Sequence, residues 1–129
     1  MGEWKIDTKR MPGVIRVELS GTFSLADMDT FVSAHNRAID EQHGKDYKVF
    51  VDMREMSPLK PEAASAFERA KVYSASHKNF RGSAVWVAKA VVAMQHRRTS
   101  VSGGVSETEM IGENEAQLLS YLERVNRQS

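Results

Sequence analysis

Trp4, Ile6 and Thr8 alternate with Lys5, Asp7 and Lys9, the period-two pattern of a half-exposed strand. A Met11-Pro12-Gly13 turn signal follows. Ile15, Val17 and Leu19 then alternate with Arg16, Glu18 and Ser20, so the first two strands are predicted to form a hairpin. Gly21 ends it. Ser24 with Asp27 three residues on approximates a capping box, Asp standing where Glu or Gln is usual. Met28, Phe31, Val32, His35 and Ile39 recur at helical spacing, which buries one face of a first helix, with Gly44 as its stop.

Tyr47 to Val51 is an unusually apolar run closed by Asp52, as expected of a strand covered on both faces. Met53–Lys60 reads as a loop. Pro61 suits the first position of a second helix, where its missing N–H is no loss. Ala63, Ala64, Phe67, Ala70 and Tyr73 or Ser74 form that helix's buried stripe, Lys78–Gly82 is a loop, and Ser83–Ala88 is a fourth, apolar strand. A third helix is predicted from about Lys89 to Val101, with Val91, Met94, Gln95, Arg98 and Val101 along one side and Gly103-Gly104 as its stop. A fifth strand is expected near Glu107–Ile111. The last helix takes Glu115 to about Val125, with Ala116, Leu118, Leu119 and Leu122 inward. The order is ββαβαβαβα: one α/β domain over residues 1–129, with a mostly parallel sheet of about five strands, an N-terminal hairpin and about four helices. An open sheet of this kind works at the carboxyl ends of its strands, which directs attention to Asp52 and the loop after it.

Composition removes several classes of function. Lys and Arg number 18 against 17 acidic residues, a net charge of +1, so nothing drives the chain globally toward nucleic acid. With no cysteine, disulfides, thiolate chemistry and cysteine metal sites are excluded, and a reducing, cytoplasmic setting is expected. No apolar run approaches the ~20 residues of a membrane-spanning helix, and the residues up to Lys5 lack a signal-peptide apolar region.

The chemistry-bearing residues are sparse. His35, His43, His77 and His96 are scattered, without a second His or carboxylate at metal-ligand spacing; no metal site and no cofactor is expected. His35 lies on the apolar stripe of the first helix, and His77 and His96 read as surface residues near helix ends. Asp52 and Lys89 fall at the ends of neighbouring strands, like the acceptor Asp and the Lys of a receiver domain. The acidic pair such a domain needs for Mg²⁺ is absent, because the first two strands end at Lys9-Arg10 and Gly21-Thr22. Ser57-Pro58 is a modification candidate whose simpler reading is a turn. Lys89, Arg97 and Arg98 are too few for a nucleic-acid patch. Met53, Met56 and Leu59 are apolar residues in an otherwise polar loop, which suits either a docking surface or a core lid in which one or two of them fold back onto the sheet end.

The stretches Val49-Phe-Val-Asp-Met-Arg54, Lys60-Pro-Glu-Ala-Ala64, Ser83-Ala-Val-Trp-Val-Ala88 and Glu113-Asn-Glu-Ala-Gln-Leu-Leu-Ser-Tyr-Leu122, in this element order, resemble the STAS domain of bacterial anti-sigma-factor antagonists. The nearest likeness is to its divergent branch of short bacterial proteins. The resemblance implies non-enzymatic signalling by docking to a protein partner of the anti-sigma or sensor type, or to a second copy. The antagonists carry their phosphorylated serine in an Asp-Ser-Ser-Gly turn at the start of the second helix. Here Ser57-Pro-Leu-Lys-Pro-Glu62 occupies that region, so the switch is not carried over. The expected partner surface is Met53, Met56, Ser57, Leu59 and Lys60 with Glu62, Ser65 and Arg69 of the second helix; Asp52 and Lys89 stand at the strand ends beside it. The divergent branch is also similar to CRAL-TRIO lipid carriers, which gives an apolar ligand between sheet and helices as the alternative.

Overall fold

The computed structural model describes residues 2–126. In chain order the elements are β1 (Glu3–Asp7), β2 (Val14–Gly21), α1 (Leu25–Asp40), β3 (Tyr47–Met56), α2 (Pro61–Ser76), β4 (Phe80–Trp86), α3 (Ala90–Gly103), a 3-10 turn (Ser106–Thr108), β5 (Glu109–Gly112) and α4 (Glu115–Arg124). The sheet order is β1-β2-β3-β4-β5. β1 runs antiparallel to β2, and every other pair is parallel. The predicted hairpin, element order and α/β class are all present.

Local chemistry accounts for the elements. The Ser24 hydroxyl accepts the Asp27 amide at 3.0 Å while the Asp27 carboxylate accepts the Ser24 amide at 3.1 Å, a reciprocal cap on α1. The same carboxylate accepts the Gly2 amide at 3.1 Å, tying the N-terminal strand to the helix. Pro61 opens α2. Gly104, at φ 83°, closes α3 in the left-handed conformation that only glycine takes freely.

Helices α1, α2 and α3 cover one face of the sheet, over a core of Ile15, Val17, Met28, Phe31, Val51, Phe67 and Val85. α4 alone packs on the other face, where Leu118 and Leu122 meet Phe50 and Ala84. Each large apolar side chain fully buried in these layers contributes roughly 1.5–3 kcal/mol.

The structure corrects two expectations and fixes the inward side of α3. First, β3 does not stop at Asp52 but continues through Met56. Its register with β2 shifts between Glu18↔Asp52 and Ser20↔Glu55, so β3 carries an extra residue there, and such a bulge changes which side chains face inward. Met53 and Met56, three residues apart, are both buried. Second, α3 turns its Val91–Met94 side outward. Val92, Ala93, His96, Thr99 and Ser100 are buried, whereas Val91, Met94 and Val101 are 49, 55 and 67% exposed. Third, β5 begins two residues later than expected, after the 3-10 turn, and Ala116 of α4 is exposed while Leu118 and Leu122 point inward.

Candidate functional site

The carboxyl end of the sheet is built by β3, the segment 57–60 and the facing ends of α2 and α3. Met53, Met56 and Leu59 do not form an exposed docking patch. They are 1, 1 and 8% exposed and close the core against Phe67, Val92 and His96, around a void of about 10 Å³. The reason is the β3 extension: the methionines belong to a strand, not a loop, and the bulge turns both toward the helices. Leu59 is fixed from α3, because its amide donates to Gln95 Oε1 and its carbonyl accepts from Gln95 Nε2, each at 2.8 Å. Ser57 is half-buried and its amide bonds to Gly21 O at 2.9 Å, extending the β2–β3 ladder by one rung. Lys60 is the N-cap of α2, with no side-chain hydrogen bond to the helix.

The remaining partner-surface candidates do face outward. Lys60, Glu62, Ser65 and Arg69 are exposed, and Arg69 reaches Asp29 of α1 at 3.4 Å. Beside them a shallow groove of about 270 Å³ runs between α2 and α3, with Pro61, Ala64 and Ser65 on one wall and Gln95, Arg98 and Ser102 on the other. The outer side of α3, with Val91 and Met94, adjoins it. No acidic residue occurs from Ala90 to Gly103, and Lys89, Arg97 and Arg98 are exposed. This second helix face was absent from the surface expected from the sequence, which ended at Arg69 of α2.

Beneath α3 lies a polar cluster that the sequence reading missed. Lys71 of α2 donates to Glu109 Oε2 of β5 at 2.8 Å, and Ser83 of β4 donates to the same oxygen at 2.7 Å. Ser100 of α3 donates to the other carboxylate oxygen. Lys71 also donates to His96 Nε2, which places the neutral ring's proton on Nδ1, a buried atom without a hydrogen-bond partner. Burial pushes the Glu109 carboxyl up, but the charge of Lys71 and its hydrogen bond outweigh it and hold the carboxyl well below its usual range. Burial pushes the Lys71 ammonium down against the opposing pull of Glu109. Burial, then the Lys71 charge, pushes His96 down to about 4. His96 is therefore not the surface residue the sequence suggested. Gly103 makes the α2–α3 approach possible, since a β-carbon there would lie 2.4 Å from Lys71 Cβ. The cluster is enclosed, and its hydrogen bonds join α3 to α2, β4 and β5.

Asp52 and Lys89 are not brought together. Asp52 lies on the α4 side of the sheet, two residues from Phe50, and is gripped by Arg54 through Nε–Oδ1 at 3.0 Å and Nη2–Oδ2 at 2.9 Å. The Arg54 guanidinium stacks on Trp86, 3.5 Å from the ring centroid. Burial raises the Asp52 carboxyl, but the hydrogen bonds and charge of Arg54 more than offset this and lower it. Lys89 is exposed at the start of α3, on the other side of the sheet. The pair forms no acceptor site of the receiver type. Among the described residues, no group of three or more His, Asp or Glu side chains is arranged to hold a metal ion.

A family model described as SpoIIAA-like matches residues 14–121. The chain belongs to the SpoIIAA-like family. Its fold is shared with an anti-sigma factor antagonist from Mycobacterium paratuberculosis, at a TM-score of 0.65 and 12% identity over 95% of each chain. It is shared equally with a protein of the DUF3478 family with a SpoIIAA-like fold from Shewanella loihica PV-4, at a TM-score of 0.65 and 13% identity, covering 94% of this chain and 93% of that one. No curated protein matches the sequence. The STAS-like resemblance is thus shown in both family and fold. At these identities the structures speak for the fold, and the partner surface has to be read from this chain's own side chains.

Proposed function

We propose that this SpoIIAA-like chain is a non-enzymatic regulatory module that docks a protein partner through the outer faces of α2 and α3. The observation that carries the reading is the orientation of α3. This helix buries the polar His96, Thr99 and Ser100 beside Val92 and Ala93, yet exposes Val91 and Met94, which burial of apolar area alone does not favour. A helix oriented in this way leaves an apolar face open to a partner. The exposed side of α2 (Lys60, Glu62, Ser65 and Arg69) supplies the polar rim of that surface.

The start of α2 argues for docking without a phosphoserine switch. Lys60 holds the N-cap where the antagonists place their serine turn, and Ser57 is tied into the β2–β3 ladder through its backbone. Two observations favour docking over apolar-ligand carriage. The voids between the sheet and its three helices measure about 30 and 10 Å³, far below the ~300–1,000 Å³ of ordinary ligand pockets. The larger concavity of about 550 Å³ is an open surface groove between the β1–β2 turn and α4, where Lys48 is already engaged with Leu122 O at 2.5 Å. Among the described residues no helix is long and apolar enough to cross a membrane, in keeping with a role at protein surfaces, which we place in the cytoplasm.

A photo-crosslinking side chain at position 94, introduced in the host cell, tests the surface. It is expected to give a discrete adduct that the same group at exposed Glu123 of α4, on the opposite face of the sheet, does not give. Equal yields from both positions would contradict the assignment.

A further inference from the structure

The two edges of the sheet are defended unequally. β1 is one edge and β5 the other. β1, Glu3-Trp4-Lys5-Ile6-Asp7, carries three charged residues at alternate positions, and charges along an edge discourage the addition of another strand. β5, Glu109-Met110-Ile111-Gly112, carries one, and the Glu109 carboxylate is withdrawn into the core by Lys71, Ser83 and Ser100. β5 contains neither lysine nor proline. All four of its residues are half-exposed, and among the described residues no strand pairs with its outer side.

A groove of about 240 Å³ lies along this edge, lined by Arg97, Ser100, Val101, Ser106, Glu109 and Ile111. Val101, 67% exposed, is the most exposed large apolar side chain among the described residues, and with Ile111 it gives the groove apolar walls. Arg97 is exposed on the rim and forms no ion pair among the described residues.

We propose that the β5 edge and this groove accept an extended peptide segment of a partner protein, which adds a sixth strand to the sheet. Such a segment gains affinity from main-chain hydrogen bonds to the edge and specificity from side chains that fall in pockets beside it. Side chains of a strand alternate between faces, so every second residue of the peptide meets the α3 side. One of these, apolar, packs against Val101 and Ile111. A neighbour two positions along, acidic, meets Arg97. A second copy of this chain fits less well, because the one acidic residue of its β5 is the buried Glu109. This groove shares no lining residue with the groove between α2 and α3, and the two proposals are tested by separate measurements.

The test is a titration of ¹⁵N-labelled protein with the N-acetylated hexapeptide Thr-Val-Thr-Asp-Thr-Thr, whose valine and aspartate are two positions apart and so share a face of the strand. Amide shifts are expected at Met110, Ile111, Gly112, Arg97 and Val101. N-methylation of alternate peptide amides should weaken binding at least about ten-fold, because it removes the strand hydrogen bonds and leaves the side chains in place. Arg97→Glu, at an exposed position that leaves the fold intact, should lower affinity for this peptide about ten-fold and shift preference to a valine–lysine peptide. The proposal is overturned by no shifts at millimolar peptide, by shifts centred on Val91 and Met94, or by N-methylated peptide binding equally well. Concentration-dependent shifts at β5 without peptide would overturn it in favour of pairing between copies.

Discussion

Gln95 of α3 brackets the backbone of Leu59, accepting its amide and donating to its carbonyl, both at 2.8 Å. One side chain thereby replaces a strand's worth of pairing for a residue that has left β3 and not yet entered α2. It also joins the two parts of the proposed partner surface mechanically, since whatever displaces α3 pulls on the segment before α2. Gln95→Leu removes both bonds at nearly constant volume and leaves two backbone groups unsatisfied. A loss of about 1–3 kcal/mol is expected, together with faster hydrogen exchange at the Leu59 amide. Unchanged exchange would mean the bracket does not hold the segment.

The buried ion pair predicts a strong asymmetry between single and double substitutions. Glu109→Gln strands the Lys71 ammonium in the core and should cost about 3–5 kcal/mol. Lys71→Met together with Glu109→Gln removes both charges and should be clearly less destabilising than the sum of the single changes. Denaturant unfolding of all three variants measures this coupling directly.

Acid should destabilise this protein well before its carboxylates titrate. His35 and His96 are both held at about 4, below the ordinary imidazole value of 6.5. For His35 the cause is burial, opposed by a hydrogen bond to Asn36; for His96 it is burial and then the Lys71 charge. The unfolded chain therefore binds protons that the folded chain refuses between pH 6.5 and 4. Stability must fall as pH drops through that window, by up to ~1.4 kcal/mol per pH unit for each histidine. Below about 4 both states are protonated and this contribution flattens. Chemical denaturation at pH 7, 6, 5 and 4.5 checks the slope, and a flat profile would contradict the burial assigned to both rings.

Polarity introduced on the two sides of the α2–α3 region should have opposite consequences. Met56→Glu or Leu59→Glu places a charge in the core lid and is expected to unfold the domain, while Met56→Ala should cost about 2–5 kcal/mol through the cavity it leaves. Val91→Glu and Met94→Glu lie on the outer face of α3 and should change stability by no more than about 0.5 kcal/mol. Thermal melts separate the two groups.

Much of the fold is legible in the sequence because local signals and burial agree there. The Ser24–Asp27 cap, the stripe of Met28, Phe31 and His35, and the apolar run of Tyr47–Val51 all point to the elements observed. The candidate site is less legible, for two physical reasons. A bulge in the β2–β3 pairing turns Met53 and Met56 to the same side, so a three-residue spacing that looks unlike a strand is one. In α3, Val91, Met94 and Val101 have the spacing of a core stripe, yet the inward side is Val92 and Ala93 with the polar His96, Thr99 and Ser100. His96 and Ser100 find their partners in Lys71 and Glu109, which come from α2 and β5. Pairing between residues on separate elements has no periodic signature. An uninterrupted absence of acidic residues along α3 was the one available hint that this helix differs from the others.

The central claim is that the outer face of α3, with α2, meets a protein partner. The most direct measurement is affinity capture from the native host with the tagged parent chain beside a Val91→Glu/Met94→Glu variant whose melting temperature is unchanged. The account predicts a partner retained by the parent, lost from the variant, and crosslinked to position 94 in the cell. Recovery of the same partner by both proteins would contradict it.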